Sequence, residues 1–286
     1  MSTVGCLILD FDGTLTLVDE EAGPFIKAFR EGLSLRLGED LSERWEAIAA
    51  RIEAQPDRYG WEHEGYIVAP AHADPYVLAR SIGQILLEEA GFPPSKRHAL
   101  LDELYLASYP HAKTVFRPEA QAFLEACVAS GLPVYVVSNT GGERIKAKLE
   151  NIVPHLLHAI GIKGNARKFV IAPPDHLHPD WRPLWEALPA TCSIPGLTRA
   201  IHLHRGHYFA LLTQIWDETR LSPEETLVCG DIFELDLAMP AQLGAQVHLV
   251  FRPQTAEHEK RAARSARGGG ASPTLKGLFE RLDLPG

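Results

Sequence analysis

Residues 7–15 read LILDFDGTL, and they place two carboxylates two positions apart where an apolar run ends. In extended chain, residues i and i+2 point to the same side, so Asp10 and Asp12 are predicted to face one site. Gly13 permits a sharp turn, and the hydroxyl of Thr14 is expected to pin it. Two acids held close favour a divalent cation, and carboxylate oxygens suit Mg²⁺. Taken alone, the stretch also fits a strand-ending Asx turn.

Short aliphatic runs alternate with helical patterns along most of the chain. The runs are nearly continuous in apolar character, which is typical of strands buried on both faces of a parallel sheet. They lie at residues 4–9, 133–137, 198–203, 226–229 and 246–250. Helical patterns lie at residues 118–130, 142–150 and 208–219. This alternation predicts an α/β fold with a doubly wound parallel sheet.

Residues 17–112 differ from the rest of the chain, because their apolar residues recur at helical spacing and no strong strand pattern stands out. We therefore expect an all-helical domain inserted after the first strand, within a core formed by residues 1–16 and 113–286. Inside the insert, residues 59–76 break the periodicity and predict a long aromatic loop that carries prolines. Loops of that length in compact domains are often functional.

Two further stretches of the core lack a regular pattern. Residues 164–198 are rich in proline and predict an irregular surface excursion with one short strand at residues 168–171. Residues 265–274 read SARGGGASPT and are expected to form a flexible connector.

The charge and hydropathy of the chain limit the classes of partner that we expect. The 286 residues carry a formal net charge of -9 and no long basic run, so no nucleic-acid partner is expected. No apolar stretch reaches transmembrane length, and the chain starts with an acid-bearing strand rather than a signal peptide. We expect no membrane partner and a cytoplasmic location, while nothing in the sequence indicates an oligomeric state.

Polar residues also end two later strands. In VVSNTGG at residues 136–142, Ser138 could bond an anion that sits at the N-terminus of the next helix. In LVCGDIFELD at residues 227–236, Asp231 could complete an oxygen cage for the cation, and Asp236 could orient it from outside. Each stretch alone also fits ordinary turn chemistry, but three such strand ends could converge at one edge of the sheet.

Together these motifs resemble the haloacid dehalogenase superfamily, in its phosphatase branch. The matching stretches are DFDGT at residues 10–14, VVSN at residues 136–139 and GDIFELD at residues 230–236. The resemblance covers the predicted sheet domain and implies a Rossmann-like core. It also implies a helical cap domain after the first motif, which is where the insert falls.

The resemblance implies roles for these residues. Asp10 would be the nucleophile that forms an aspartyl-phosphate, and Asp12 would protonate the leaving oxygen and then activate water. Mg²⁺ would be held by the side chains of Asp10 and Asp231 and the backbone carbonyl of Asp12, with Asp236 beside them. The expected catalytic residues are Asp10, Asp12, Ser138 and Arg205. The expected substrate-binding residues are Ser138, Asn139, Thr14 and Lys168.

This sequence differs from the family pattern at the third motif, which supplies a positively charged side chain. That motif normally supplies a lysine, but the strand end before the helix at residues 208–219 carries Arg205. Arginine keeps the charge, although its planar fork is not equivalent to an ammonium group. Lys168 is the rival supplier, and helix placement favours Arg205.

The resulting hypothesis is a Mg²⁺-dependent hydrolase of small phosphorylated metabolites. One alternative is a 2-haloacid dehalogenase, which needs neither Mg²⁺ nor an acid for the departing halide, so Asp12 counts against it. A second alternative is a catalytically impaired binding or regulatory protein of the same fold, which the change to Arg205 keeps open.

Overall fold

The structure is a computed structural model that describes residues 4–55 and 57–285. The chain divides into two compact units. The first comprises Met1–Thr16 and Phe116–Gly286, and the second comprises Leu17–Val115.

The elements of the described residues are numbered along the chain. The α-helices are α1 (Val18–Glu21), α2 (Gly23–Leu37), α3 (Ser42–Ala54), α4 (Pro75–Glu89), α5 (Pro94–Ser108), α6 (Ala120–Ala129), α7 (Gly142–Leu149), α8 (Arg182–Ala187), α9 (Gly206–Thr219), α10 (Ala238–Gln242), α11 (Glu257–Ser265) and α12 (Lys276–Arg281). The strands are β1 (Cys6–Leu9), β2 (Gly60–His63), β3 (Tyr66–Pro70), β4 (Val134–Val137), β5 (Ile160–Lys163), β6 (Thr191–Cys192), β7 (Ile201–His202), β8 (Thr226–Gly230), β9 (Gln246–Val250) and β10 (Gly270–Ser272).

A six-stranded sheet in the order β10-β9-β8-β1-β4-β5 forms the centre of the first unit. Every neighbouring pair in it is parallel. From β1 the chain builds outward through β4 and β5, then returns to the other side of β1 for β8, β9 and β10. The predicted α/β class, with a doubly wound parallel sheet and a helical insert, is confirmed. Because the strand order reverses at β1, the carboxyl end of that strand is the position at which open α/β sheets bind their ligands.

Strand β1 is buried on both faces. Cys6 and Ile8 belong to one apolar cluster together with residues of α9, and Leu7 and Leu9 belong to another together with residues of α6. Full burial of one leucine or isoleucine side chain contributes about 1.5–3 kcal/mol. The continuous apolar run that predicted a buried strand therefore packs on both faces of the sheet. This packing fixes the position of the carboxyl end of β1.

The second unit is built mainly of helices. Phe25 and Phe29 of α2 stack with ring centroids 5.6 Å apart, and Tyr76 of α4 lies 4.8 Å from the ring of Phe25. Helix α4 begins after Asp74, whose carboxylate accepts a 2.6 Å hydrogen bond from the amide of Val77. Such an N-cap satisfies a donor that the helix leaves unpaired.

The prediction of a long loop at residues 59–76 is wrong over most of that range. The segment contains two strands, so the insert is not all-helical. Strands β2 and β3 pair there as an antiparallel hairpin, with His63 opposite Tyr66. Glu64 and Gly65 form its turn, with φ of 49° and 85°. A two-residue turn with both φ values positive matches the twist of paired strands, but Glu-Gly is a weaker signal for it than Asn-Gly or Asp-Gly.

Four segments of the first unit differ from prediction. Residues 198–203 contribute only β7, which pairs antiparallel with β6 outside the main sheet. Residues 168–171 form no strand, and Ala172 makes an isolated parallel bridge with Arg205. The predicted connector at residues 265–274 contains β10, and β5 escaped prediction. Both of these are short edge strands that contain glycine, so their apolar pattern is weak.

Within the described ranges, no helix combines the length and apolar character that crossing a membrane requires.

Candidate active site

Three carboxylates meet beyond the carboxyl ends of β1 and β8. The amide of Asp10 donates a 2.8 Å hydrogen bond to the carbonyl of Cys229, which extends the pairing of the two strands by one residue. Asp231 follows β8 directly, and Asp236 lies one helical turn further on. Asp10, Asp231 and Asp236 each offer a carboxylate oxygen within 4.8 Å of the other two, and all three residues are buried. The fold thus brings Asp10 into one anionic cluster with two acids that lie more than two hundred residues further along the chain.

Lys168 supplies the cation of this cluster. Its Nζ lies 2.8 Å from Oδ1 of Asp10 and 2.8 Å from Oδ1 of Asp236, and the residue is 1% exposed. Burial alone would lower the pKa of Lys168, but the two carboxylates hold it above its usual range. Burial raises the pKa of Asp10 to about 7, and the ammonium group opposes that rise. The pair is therefore held by charge in a site from which water is largely removed.

Arg205 lies behind Lys168, which corrects the expectation that Arg205 is the cation beside Asp10. Its Nη1 donates a 2.6 Å hydrogen bond to the backbone carbonyl of Lys168, and its Nε donates a 3.0 Å hydrogen bond to the carbonyl of His202. Burial lowers the pKa of Arg205 to about 10, so the guanidinium stays charged at neutral pH. The expectation relied on residues 198–203 ending a strand of the main sheet, which they do not.

The carboxylate of Asp12 is held by two donors. Thr140 Oγ1 donates to Oδ2 at 2.6 Å, and Lys148 Nζ donates to Oδ1 at 3.2 Å. Thr140 lies in the loop after β4, and Lys148 lies in the last turn of α7. The side chain of Asp12 is thus bound to the loop and helix that follow β4, and it does not belong to the cluster of Asp10, Asp231 and Asp236.

Ser138 and Asn139 lie at the carboxyl end of β4, where the sequence places them. Asn139 Oδ1 accepts a 2.8 Å hydrogen bond from the backbone amide of Lys168, and Ser138 Oγ accepts a 3.1 Å hydrogen bond from the amide of Thr140. Both side chains therefore position their neighbours, and Asn139 links the loop after β4, which also carries Thr140, to the lysine that contacts Asp10.

The turn after Asp12 is pinned differently from the prediction. The hydroxyl of Thr16, not that of Thr14, accepts a 3.2 Å hydrogen bond from the amide of Gly13. Arg117 donates a 2.8 Å hydrogen bond to the carbonyl of Gly13 from the other side. The hydroxyl of Thr14 is buried, and among the described residues it has no hydrogen-bond partner.

Gly13 has room only for a hydrogen, and this yields a prediction. Its φ is 86°, and a Cβ there would lie 2.1 Å from Oδ2 of Asp231. Gly38 has a φ of 73° and nothing within 4 Å of a built Cβ, which makes it a matched control. We expect Gly38→Ala to lower the free energy of unfolding by about 1–2 kcal/mol, and Gly13→Ala by about 3 kcal/mol or more. Urea denaturation measures both, and equal losses would contradict the contact with Asp231.

Asp236 is fully engaged by the protein. Its Oδ2 accepts a 3.1 Å hydrogen bond from the amide of Ile232, and its backbone carbonyl accepts a 3.0 Å hydrogen bond from the hydroxyl of Tyr208. With Lys168 on Oδ1, Asp236 is suited to orienting the lysine. Asp10 and Asp231 are then the stronger candidates for ligands of a cation.

Several residues of the site escaped sequence reasoning. Arg252 follows β9, and its Nε lies 3.9 Å from Oδ2 of Asp231. The strand-end rule that found Asp10 and Asp231 could have found Arg252 as well. Thr140 lies one residue beyond the VVSN match. Lys148 and Arg117 belong to no motif, and nothing in the sequence singles them out.

The donors fit a hard divalent cation. The cluster of Asp10, Asp231 and Asp236 offers oxygen ligands only, and oxygen is the donor that Mg²⁺ prefers. Three carboxylates face two cations, Lys168 and, at 3.9 Å from Asp231, Arg252, so a further positive charge would stabilise the cluster.

No protein-family model matches the chain, and no curated protein matches it by sequence. Solved structures do match. A Bacteroides fragilis protein assigned to the haloacid dehalogenase-like hydrolases is 16% identical, with a TM-score of 0.54 over 96% of this chain and 100% of that one. The magnesium-bound Bacillus subtilis protein YfnB, assigned as a HAD-hydrolase, is 14% identical, with a TM-score of 0.53 over 98% of this chain and 99% of that one.

A HAD phosphatase from Thermococcus onnurineus is 17% identical, with a TM-score of 0.51 over 98% of each chain. At such identities the similarity shows the fold, and the coverage spans both units. The protein has the fold of the haloacid dehalogenase-like hydrolases, in agreement with the resemblance of its three motifs.

Proposed function

We propose that this protein hydrolyses small phosphomonoesters with the help of Mg²⁺, through an aspartyl-phosphate on Asp10. One observation carries the proposal. The carboxylates of Asp10 and Asp231 and the ammonium group of Lys168 converge beyond the carboxyl end of β1, and Asp12 is held two residues away. This arrangement offers a nucleophile, a cation for an anionic substrate and a separate group for proton transfer.

The cation would be held by the side chains of Asp10 and Asp231 and the backbone carbonyl of Asp12. When bound, Mg²⁺ would shield the repulsion between the carboxylate of Asp10 and a negatively charged phosphate. Lys168 would support the same contact with its own charge, because its ammonium group lies 2.8 Å from Oδ1 of Asp10. The magnesium bound to YfnB, a protein of the same fold, agrees with this choice of ion.

In the first step, a carboxylate oxygen of Asp10 attacks phosphorus, and the bond between phosphorus and the alcohol oxygen breaks. Asp12 donates a proton to that leaving oxygen, which departs as an alcohol. Covalent capture replaces one difficult displacement by two easier ones. Lys168 stabilises the negative charge that gathers around Asp10 and the phosphoryl group.

In the second step, a water molecule attacks phosphorus and gives a proton to Asp12. The bond between phosphorus and Asp10 breaks, phosphate leaves, and both acids return to their starting states. Two neighbouring carboxyl groups can divide this work only if their surroundings differ. They do differ, because Asp10 and its partner Lys168 are both buried, while the side chain of Asp12 is 23% exposed and contacts Thr140 and Lys148.

The alternatives are less well supported by these contacts. A halide leaves carbon without a proton, so dehalogenation gives no use to a positioned acid at Asp12. The hypothesis of an impaired binding protein depended on an arginine in place of the usual lysine. Lys168 contacts Asp10 directly, so that reason no longer applies.

A substrate panel with metal removal tests the proposal. We expect phosphate release from 4-nitrophenyl phosphate and from some members of a set of phosphorylated metabolites in the presence of Mg²⁺. EDTA should abolish that release, and added Mg²⁺ should restore it. Phosphate release that persists in EDTA would contradict the role of the metal. Halide release from 2-chloropropionate without phosphatase activity would favour the dehalogenase.

A further inference from the structure

Helix α7 carries two lysines in its last turn, and they lie in different surroundings. Lys146 is exposed. The side chain of Lys148 is only 15% exposed, and its Nζ lies 3.2 Å from Oδ1 of Asp12 and 5.1 Å from the ring centroid of Phe11. Lys148 is therefore drawn against the segment that carries both Asp10 and Asp12.

This contact completes the support of one carboxylate. The terminal torsion of an aspartate is broad, so a single hydrogen bond leaves the plane of the carboxylate free to turn. Thr140 holds Oδ2 and Lys148 holds Oδ1, and the two donors come from separate elements. Two donors on opposite oxygens define the plane as well as the position of the group.

The contact differs from an ordinary surface ion pair. Ordering a long lysine side chain costs rotamer entropy, which usually offsets most of the gain of an exposed pair. Here the stem is largely buried, and the ammonium group also lies over an aromatic ring, which favours the ordered conformation. An ordered donor of this kind is suited to holding a partner in one orientation.

We propose that Lys148 is a positioning residue that orients the carboxylate of Asp12 for proton transfer. The inference rests on the proposed function, in which Asp12 gives a proton to the leaving oxygen and later takes one from water. Proton transfer of this kind requires an acid within hydrogen-bond reach of the reacting atom. Displacement of a catalytic group by about 1 Å can cost about a hundredfold in rate.

The dependence on the leaving group separates this role from a merely structural one. The departing 4-nitrophenolate needs no proton, whereas an alkyl alkoxide does. The value of kcat/KM reports formation of the aspartyl-phosphate, the step in which Asp12 acts as the acid. Misplacing Asp12 should therefore slow phosphoryl transfer from an alkyl phosphate far more than transfer from 4-nitrophenyl phosphate.

The experiment compares Lys148→Met, Lys148→Arg and Lys146→Met with both substrates. We expect Lys148→Met to lower kcat/KM about 10–100-fold for the alkyl phosphate and less than about threefold for 4-nitrophenyl phosphate. Lys148→Arg keeps a donor and a charge and should recover most of the loss, while Lys146→Met should match the wild type. Lys148→Gln replaces Lys148→Met if the latter does not fold.

The outcomes are distinct. Equal losses on both substrates, or no loss in Lys148→Met, would overturn the role of Lys148 and leave the phosphatase intact. A wild-type protein that releases phosphate from neither substrate would overturn the proposed function, and the role of Lys148 with it.

Discussion

Asp10→Asn is expected to lower kcat at least about a thousandfold and to leave the protein folded. The amide is nearly the same size as the carboxylate but cannot attack phosphorus. Its carbonyl oxygen can still accept the hydrogen bond from Lys168, and removing a buried negative charge relieves the desolvation that raises the pKa of Asp10 to about 7. Phosphate release and thermal denaturation measure the two effects.

A chemical readout and a matched variant complete the Asp10→Asn experiment. Acid quenching during turnover of a radiolabelled phosphomonoester should trap covalent phosphate on the wild type and none on the variant. Asp283→Asn makes the same chemical change at an exposed position with φ of 52°, which asparagine tolerates, and should leave kcat unchanged. Covalent phosphate on Asp10→Asn would assign the nucleophile to another residue.

Lys168→Met should impair both turnover and stability. It leaves the buried carboxylates of Asp10 and Asp236 without the ammonium group that now contacts both. Removing one partner of a buried ion pair costs about 3–5 kcal/mol, so the midpoint of thermal unfolding should fall clearly. We expect kcat to fall at least about a hundredfold, because the proposed reaction would lose the charge that stabilises the transferring phosphoryl group.

Arg205→Met is the companion variant that decides between the two cations. It removes the donor to the backbone carbonyl of Lys168 and should cost about 1–3 kcal/mol of stability. Its activity should fall about tenfold or less, because the ammonium group of Lys168 still faces Asp10. A greater loss of kcat in Arg205→Met than in Lys168→Met would show that Arg205 supplies the cation.

The acids of the site could be predicted because they depend on the most regular part of the fold. Asp10 and Asp231 each end an apolar strand, and β1 and β8 are neighbours in the sheet. Parallel neighbours bring their carboxyl ends together, so the spacing of two short runs was enough to predict the meeting of distant residues. Burial on both faces made those runs easy to recognise.

The lysine could not be predicted with the same rule. Lys168 lies in irregular chain, where Asn165 and Arg167 adopt left-handed φ values of 54° and 45°. Arginine rarely takes that conformation, so the sequence carries no sign of the bend that turns Lys168 inward. Arg205 directly precedes a helix and looked like the better candidate, but its strand pairs outside the main sheet.

The other features of the site that could not be predicted are contacts between individual side chains and groups elsewhere in the chain. Lys148 reaches Asp12 from a helix whose own pattern shows only an apolar face toward the core. Thr16, and not Thr14, is the partner of Gly13, because the chain brings a hydroxyl three residues further on within 3.2 Å of the Gly13 amide. Such pairings depend on the distances between packed elements, which periodicity does not report.

The bridge between Ala172 and Arg205 has a bearing on how the chain can vary. The amide of Ala172 donates a 3.0 Å hydrogen bond to His204, and the amide of Gly206 donates a 2.9 Å hydrogen bond back to Ala172. These bonds fasten both ends of the intervening segment to each other, just beyond Lys168. Changes in the length of the exposed turns of that segment should therefore leave these bonds intact, so evolution can remodel the outer turns while the ammonium group of Lys168 keeps its contact with Asp10.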